Sequence, residues 1–331
     1  MSVSRSVRRR VKVAVLATAL ASTGLAIAAA PVGAQGDSIT LPRKPGPNQT
    51  LVVHLTQDMN MQMSMAGADV DAGGSTQPGG QAPGPQRTPP PMKLTGIMMM
   101  EATQKVGTPD DQGRMPCEFT YTDANMDLKM NGMSLPNQDF KNQFVGKSMT
   151  FAYASDGTVT DIKLPDNTPG AQAAQQALGS FTLSLPMQPL SVGESAKMPV
   201  SVPFAIPLPG GAKPPNFKGT VTYTLVRIEG AGNERVAVLD QKMDATAEGA
   251  IPSPTGAGTG GTLTMHMTGT GQIQVDLARG VARSGEIETT MDGTIKRQAP
   301  AGSEPQPGQP AGDVRLQGTT KMKLSTTPQD R

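Results

Sequence analysis

Four methionines at alternate positions, Met59, Met61, Met63 and Met65 in the run DMNMQMSM, come nearest to chemistry in this sequence. Thioethers are soft donors that suit Cu(I), and alternate strand residues lie about 6.6 Å apart on one face. Flexible side chains at that spacing can bring several sulfurs to one ion. The IMMM run at 97–100 offers Met98 and Met100 as further donors. The same row also reads as the buried face of a strand, because Leu51, Val53 and Leu55 precede it at the same parity. Imidazoles would strengthen a copper site, but His54 has the opposite parity, and His266 alternates with Met265 and Met267. In regular strands both histidines point away from the sulfurs, so the ladder is expected to be core and no metal is assigned to it.

A methionine core repacks easily and suits promiscuous apolar surfaces. A sheet lined by Met59, Met61, Met63, Met65, Met98, Met100, Met126 and Met130 is expected to accept an acyl chain or the apolar segment of an envelope protein. The competing reading is a closed sandwich that binds nothing. An extracytoplasmic copper protein using the Met rows is the alternative function.

Signatures of catalysis are poor, and neither an enzyme nor a cofactor is expected. Two histidines without ligand spacing do not make the usual zinc arrangements, and no G-x-S-x-G elbow is present. Gly256, Gly258 and Gly261 satisfy G-x-G-x-x-G, but a strand pattern follows them where a pyrophosphate site needs a helix. Asp69 and Asp71 start a calcium-like loop whose later ligands are missing. Cys117 is the sole cysteine, so no intramolecular disulfide forms, and MPCEFTY reads as a core strand.

Arg5, Arg8, Arg9, Arg10 and Lys12 lead into an apolar run, and Val32-Gly33-Ala34 supplies small residues before Gln35. This pattern predicts a cleaved secretory leader over 1–34, by Sec or twin-arginine export, and a periplasmic or secreted mature chain. Cleavage removes five basic residues and leaves 24 basic against 27 acidic ones. The basic excess therefore belongs to the leader. With few aromatics and no basic patch in the mature part, no nucleic-acid partner is expected, nor a transmembrane segment after cleavage.

The elements that must position these residues are strands. Period-2 alternation marks 51–65, 92–106, 115–121, 126–130, 148–154, 158–164, 181–185, 198–206, 219–228, 235–245, 262–277, 281–296 and 314–324. Asp156-Gly157 is a tight turn between two of them, and one short helix is expected over 169–179. Pro/Gly-rich tracts at 67–91, 251–261 and 298–313 read as long hairpin loops. The predicted fold is mainly β, with antiparallel sheets in two related halves forming a sandwich or half-barrel. The divisions are a tail at 35–45, a Met-rich half at 46–190, a second half at 191–326 and a tail at 327–331. The halves pair GPNQTLVVHLTQDM with GESAKMPVSVPFAI, and KLTGIMMMEATQKV with FKGTVTYTLVRIEG. MPCEFTYTDANMDLKMNG then pairs with RVAVLDQKMDATAEG, and KSMTFAYASDGTVTDIK with GQIQVDLARGVARSGEIE.

PNQTLVVHLTQDMNMQMSM, FVGKSMTFAYASDGTVTDIK and RSGEIETTMDGTIK follow one another in a definite order. In that order the chain resembles an uncharacterised family of exported bacterial β-rich proteins, a domain of unknown function, across most of 46–325. The resemblance implies export and β architecture and brings no catalytic residues. A weaker likeness, of architecture alone, is to lipoprotein-carrier half-barrels, whose concave sheet holds acyl chains.

Overall fold

The alternating stretches become strands of one sheet. The computed structural model describes residues 38–65, 90–135, 140–164, 185–203, 216–252, 259–297 and 313–329. The first flank contains β1 (Thr50–Met65), β2 (Met92–Val106), β3 (Met115–Met130), β4 (Met133–Ser134), β5 (Ser148–Tyr153) and β6 (Val159–Lys163). The second contains β7 (Ser195–Pro203), β8 (Asn216–Glu229), β9 (Val236–Pro252), β10 (Thr259–Asp276), β11 (Val281–Arg297) and β12 (Val314–Pro328). A short helix, α1 (Phe140–Phe144), separates β4 from β5. The helix expected at 169–179 and the leader lie outside the described residues.

All the strands join one twelve-stranded antiparallel sheet in the order β6-β5-β3-β2-β1-β12-β11-β10-β9-β8-β7, with β4 beside β3. First and last strands meet at its centre, in register from Leu51↔Pro328 to Met65↔Val314. The two stretches divided near Leu190 are thus flanks of one sheet. β12 runs to Pro328, two residues beyond the expected end of the second half. The segments paired on sequence as β1/β7, β2/β8, β3/β9, β5/β10 and β6/β11 lie six places apart along the sheet in every case. The edges β6 and β7 do not pair, so the sheet stays open. Pro199, Pro203 and Lys197 on the β7 edge are residues that discourage edge-to-edge pairing.

Alternation decides what each strand buries. On β10, Leu263, Met265, Met267, Ile273 and Val275 are buried while the residues between them are exposed or half-buried, apart from the glycines at 269 and 271. A single sheet buries side chains this completely only if it curls over its own inner face. One core cluster accordingly runs from Phe217, Val221 and Leu225 on β8 to Leu316 and Met322 on β12, with Leu55 and Met61 of β1 against it.

The segment before β1, expected as an N-terminal tail over 35–45, ties the curl together. Ile39 pairs with Leu190 just ahead of β7 (N–O 2.9 Å in both directions), and Gly46 N donates to Arg279 O at 2.8 Å in the β10–β11 turn. Arg43 packs on Gly157 in the β5–β6 turn, and Lys44 on Gly280 in the β10–β11 turn. Six strand spacings separate those two turns, about 29 Å in a flat sheet. Consecutive Cα atoms are only about 3.8 Å apart, so the sheet must roll until both turns reach the strap. Ile39, Leu41, Leu185 and Leu190 are buried there and cap that end of the interior. Strand β1 leaves the strap end and finishes at Met65, at the far end of the sheet.

Candidate functional site

Strand registry gathers the methionine rows on the inner face of the first flank. Gln57 lies opposite Met98, which lies opposite Met126; Leu55 lies opposite Met100. Toward the far end Met59 faces Gly96, Met61 faces Leu94 and through it Met130, and Met63 faces Met92. Seven of the eight methionines singled out on sequence therefore belong to one face of three neighbouring strands, and the eighth, Met65, pairs its backbone with Val314 at the end of β1.

Burial divides this face. Met59 (6 %) and Met98 (4 %) are core, whereas Met63 (38 %) and Met92 (45 %) are exposed. Met61, Met100, Met126, Met130 and Leu94 are half-buried. The ladder is thus core at its strap side and surface at its far side, a gradient that parity alone does not reveal. Gly318 lies opposite Met61 on the other side, and a Cβ there would sit 3.1 Å from Met61 Cγ. The missing side chain gives the long thioether its room.

Helix α1 covers the deeper part. Phe144 packs with Met98 and Ala124, and Met100, Tyr121, Met126 and Val145 lie against the same cluster. Its ring meets Tyr121 edge-on at 5.6 Å. Gly146 N donates to Tyr121 O at 2.9 Å and Lys141 Nζ meets Asp123 Oδ1 at 2.9 Å, which hold the segment down. The lysine lowers the Asp123 carboxyl pKa. Nothing in the alternation marks 140–144 as a helix, because five residues are too few for a 3.6-residue period to show.

Two more thioethers border the open part. Met92 starts β2 at the parity of Met98, a signal already present in the sequence. Met133 faces Met130 across the turn Asn131-Gly132, whose φ angles of 52° and 79° are those of a two-residue hairpin. Asn-Gly is the strongest short hairpin signal and would have placed Met133 on this face. Met133 is 68 % exposed.

Other reactive groups lie away from the row. His54 Nδ1 meets Glu101 at 3.3 Å and His266 Nε2 meets Asp244 at 2.9 Å, both on the outer face, as parity predicted. Cys117 is buried, and burial pushes its thiol up to about 11. Among the described residues no three His, Cys, Asp or Glu side chains gather as metal ligands. A groove of about 660 Å³ at the strap end is lined partly by Glu234, Asp276, Arg279 and Arg283. Asp276 there closes the β10–β11 turn, accepting from Arg279 N at 2.8 Å and Arg279 Nη1 at 3.0 Å.

Fold and site define an open, curled antiparallel sheet with a methionine-lined inner face. No family model and no curated protein matches the sequence, so the resemblance to an exported β-rich family rests on its motifs. Among solved structures, the chain is similar to one titled "Lipid-protein interactions in lipovitellin", with 12% identity and a TM-score of 0.39. That match covers 86% of this chain and 26% of the other, so the chain spans about a quarter of the length of that structure's chain. It is also similar to Pseudomonas aeruginosa OpdQ (7% identity, TM-score 0.18, 84% and 98% covered). The V. cholerae type IV competence pilus secretin PilQ is matched at 8% identity and TM-score 0.15, covering 86% and 62%. Among the described residues no helix is long and apolar enough to cross a membrane.

Proposed function

We propose that the chain is an exported, non-catalytic envelope protein that binds a hydrophobic ligand, or the apolar segment of a partner protein, on its Met-lined inner face. One observation carries the reading: exposure along β1 rises from 6 % at Met59 to 38 % at Met63, on the face that is core elsewhere. Soluble proteins seldom leave adjoining apolar side chains bare without a use, and flexible thioethers adapt to ligands of several shapes. Leu94, Met61 and Met130 extend the patch across β2 and β3. Export is inferred from the basic-apolar leader and its small residues before Gln35.

Native mass spectrometry of protein freshly taken from cells, paired with titration by a fluorescent long-chain fatty acid, tests the reading. A bound apolar mass, or saturable fatty-acid binding weakened by Met61→Ser/Met63→Ser, is expected. A ligand-free mass with no fatty-acid affinity would remove the acyl form of the proposal. Sequencing the N-terminus of the cell-derived protein tests export, with Gln35 expected first.

A further inference from the structure

We propose that the far end of the methionine face is a Cu(I) site, built around Met92 from the thioethers of Met61, Met63 and Met130. Packing explains Met59 and Met98, but it does not explain why Met63 and Met92 oppose each other while 38 % and 45 % exposed. The register makes Met92 a hub. Met63 is its directly opposed partner on β1, and Met61, opposite Leu94, is a diagonal neighbour. Met130, also opposite Leu94, is the diagonal neighbour on β3. Opposed Cβ atoms lie about 5 Å apart and diagonal ones about 7–8 Å, within reach of long side chains. Met133, facing Met130 at 68 % exposure, stands beside the group as an additional donor.

The donor set selects the ion. Thioethers are soft and uncharged, so they suit a soft monovalent cation and leave the charge of a divalent one uncompensated. Both histidines are on the outer face with carboxylate partners, and Cys117 is buried at the strap end. A sulfur-only site of this kind takes Cu(I) and leaves Cu(II) and Zn(II) in solution. The inference stands independently of the hydrophobic-ligand reading, because it needs sulfur where that reading needs only apolar surface.

Leucine substitution separates the two. The full chain is titrated with Cu(I) under anaerobic reducing conditions against a chelator of micromolar affinity, and the bound copper is read by X-ray absorption. Competition with the chelator and neighbours that are sulfur alone are expected. Met63→Leu/Met92→Leu should lose at least roughly tenfold in Cu(I) affinity, as even outer partners of metal ligands are worth that much. Met59→Leu/Met98→Leu should match the parent in Cu(I) affinity, and urea midpoints should show that both variants stay folded. Failure to compete, nitrogen or oxygen beside the copper, or affinity unchanged in Met63→Leu/Met92→Leu would each overturn the site. If Met63→Leu/Met92→Leu does not fold, Met61→Leu/Met130→Leu decides. Loss of Cu(I) by a folded variant supports the site, and retained Cu(I) overturns it.

Discussion

Gly157 and Gly280 lie in turns six strand spacings apart, yet a methyl group on either would strike consecutive residues of one strap, Arg43 and Lys44. Both have positive φ, 84° and 71°. Gly280→Ala should therefore destabilise by more than the roughly 1–2 kcal/mol of a left-handed alanine, because the strap must also move. Gly113 shares the conformation (φ 73°) with open space around it, so Gly113→Ala should cost the backbone term alone. Urea midpoints of the two variants measure the difference.

The burial gradient along the methionine face has energetic consequences. Met98→Ala removes a core side chain and should cost about 2–5 kcal/mol. Met63→Ala, at 38 % exposure, should fall within about 1 kcal/mol of the parent. Denaturant melts of both variants, compared at equal slope, check the ordering.

Tyr121, Tyr153 and Tyr223 are the protein's three tyrosines, and burial pushes each phenol up to about 12. Beside Tyr153, Cys117 adds to the rise. Groups with a raised folded pKa stabilise the fold below their unfolded value, near 10 for a phenol. That contribution is lost as pH climbs through about 12. The Cys117 thiol adds a loss beginning near 9 and complete at about 11. Ultraviolet titration should show almost no tyrosinate near pH 10 in the folded protein and about half ionisation there in urea. Stability should decline steadily above pH 9.

Phe144 seals the deeper methionines, so Phe144→Ala should act in two directions. Stability should fall by about 3–5 kcal/mol, the range for a buried phenylalanine. Capacity for a fluorescent apolar probe should rise, because Met98 and Met126 lose their cover. A probe signal unchanged in the folded variant would show that α1 hides no binding surface.

Strands were legible because a sheet with one buried face repeats every two residues, and β2 falls on its predicted span. Curvature was not, since it follows from contacts between residues far apart in the chain. Leu41-Pro42-Arg43-Lys44-Pro45 has the composition of a tail, and only its meeting with Gly157 and Gly280 makes it a strap. β3 read as two strands because a bulge opposite Glu101/Ala102 shifts the inward parity from Ala124 to Tyr121. The common face of Met59, Met61, Met63, Met98, Met100, Met126 and Met130 was legible, but the burial of Met98 depends on Phe144 of α1, which the alternation does not place.

Methionine oxidation by peroxide, followed residue by residue with mass spectrometry, with and without saturating fatty acid, tests the central claim most directly. Met63, Met92 and Met133 should oxidise first and Met59, Met98 and Met265 last, and the fatty acid should slow Met61, Met63, Met92 and Met130 selectively. Uniform oxidation of the row, or rates at those four residues unaffected by the fatty acid, would contradict a methionine face that opens to receive an apolar ligand.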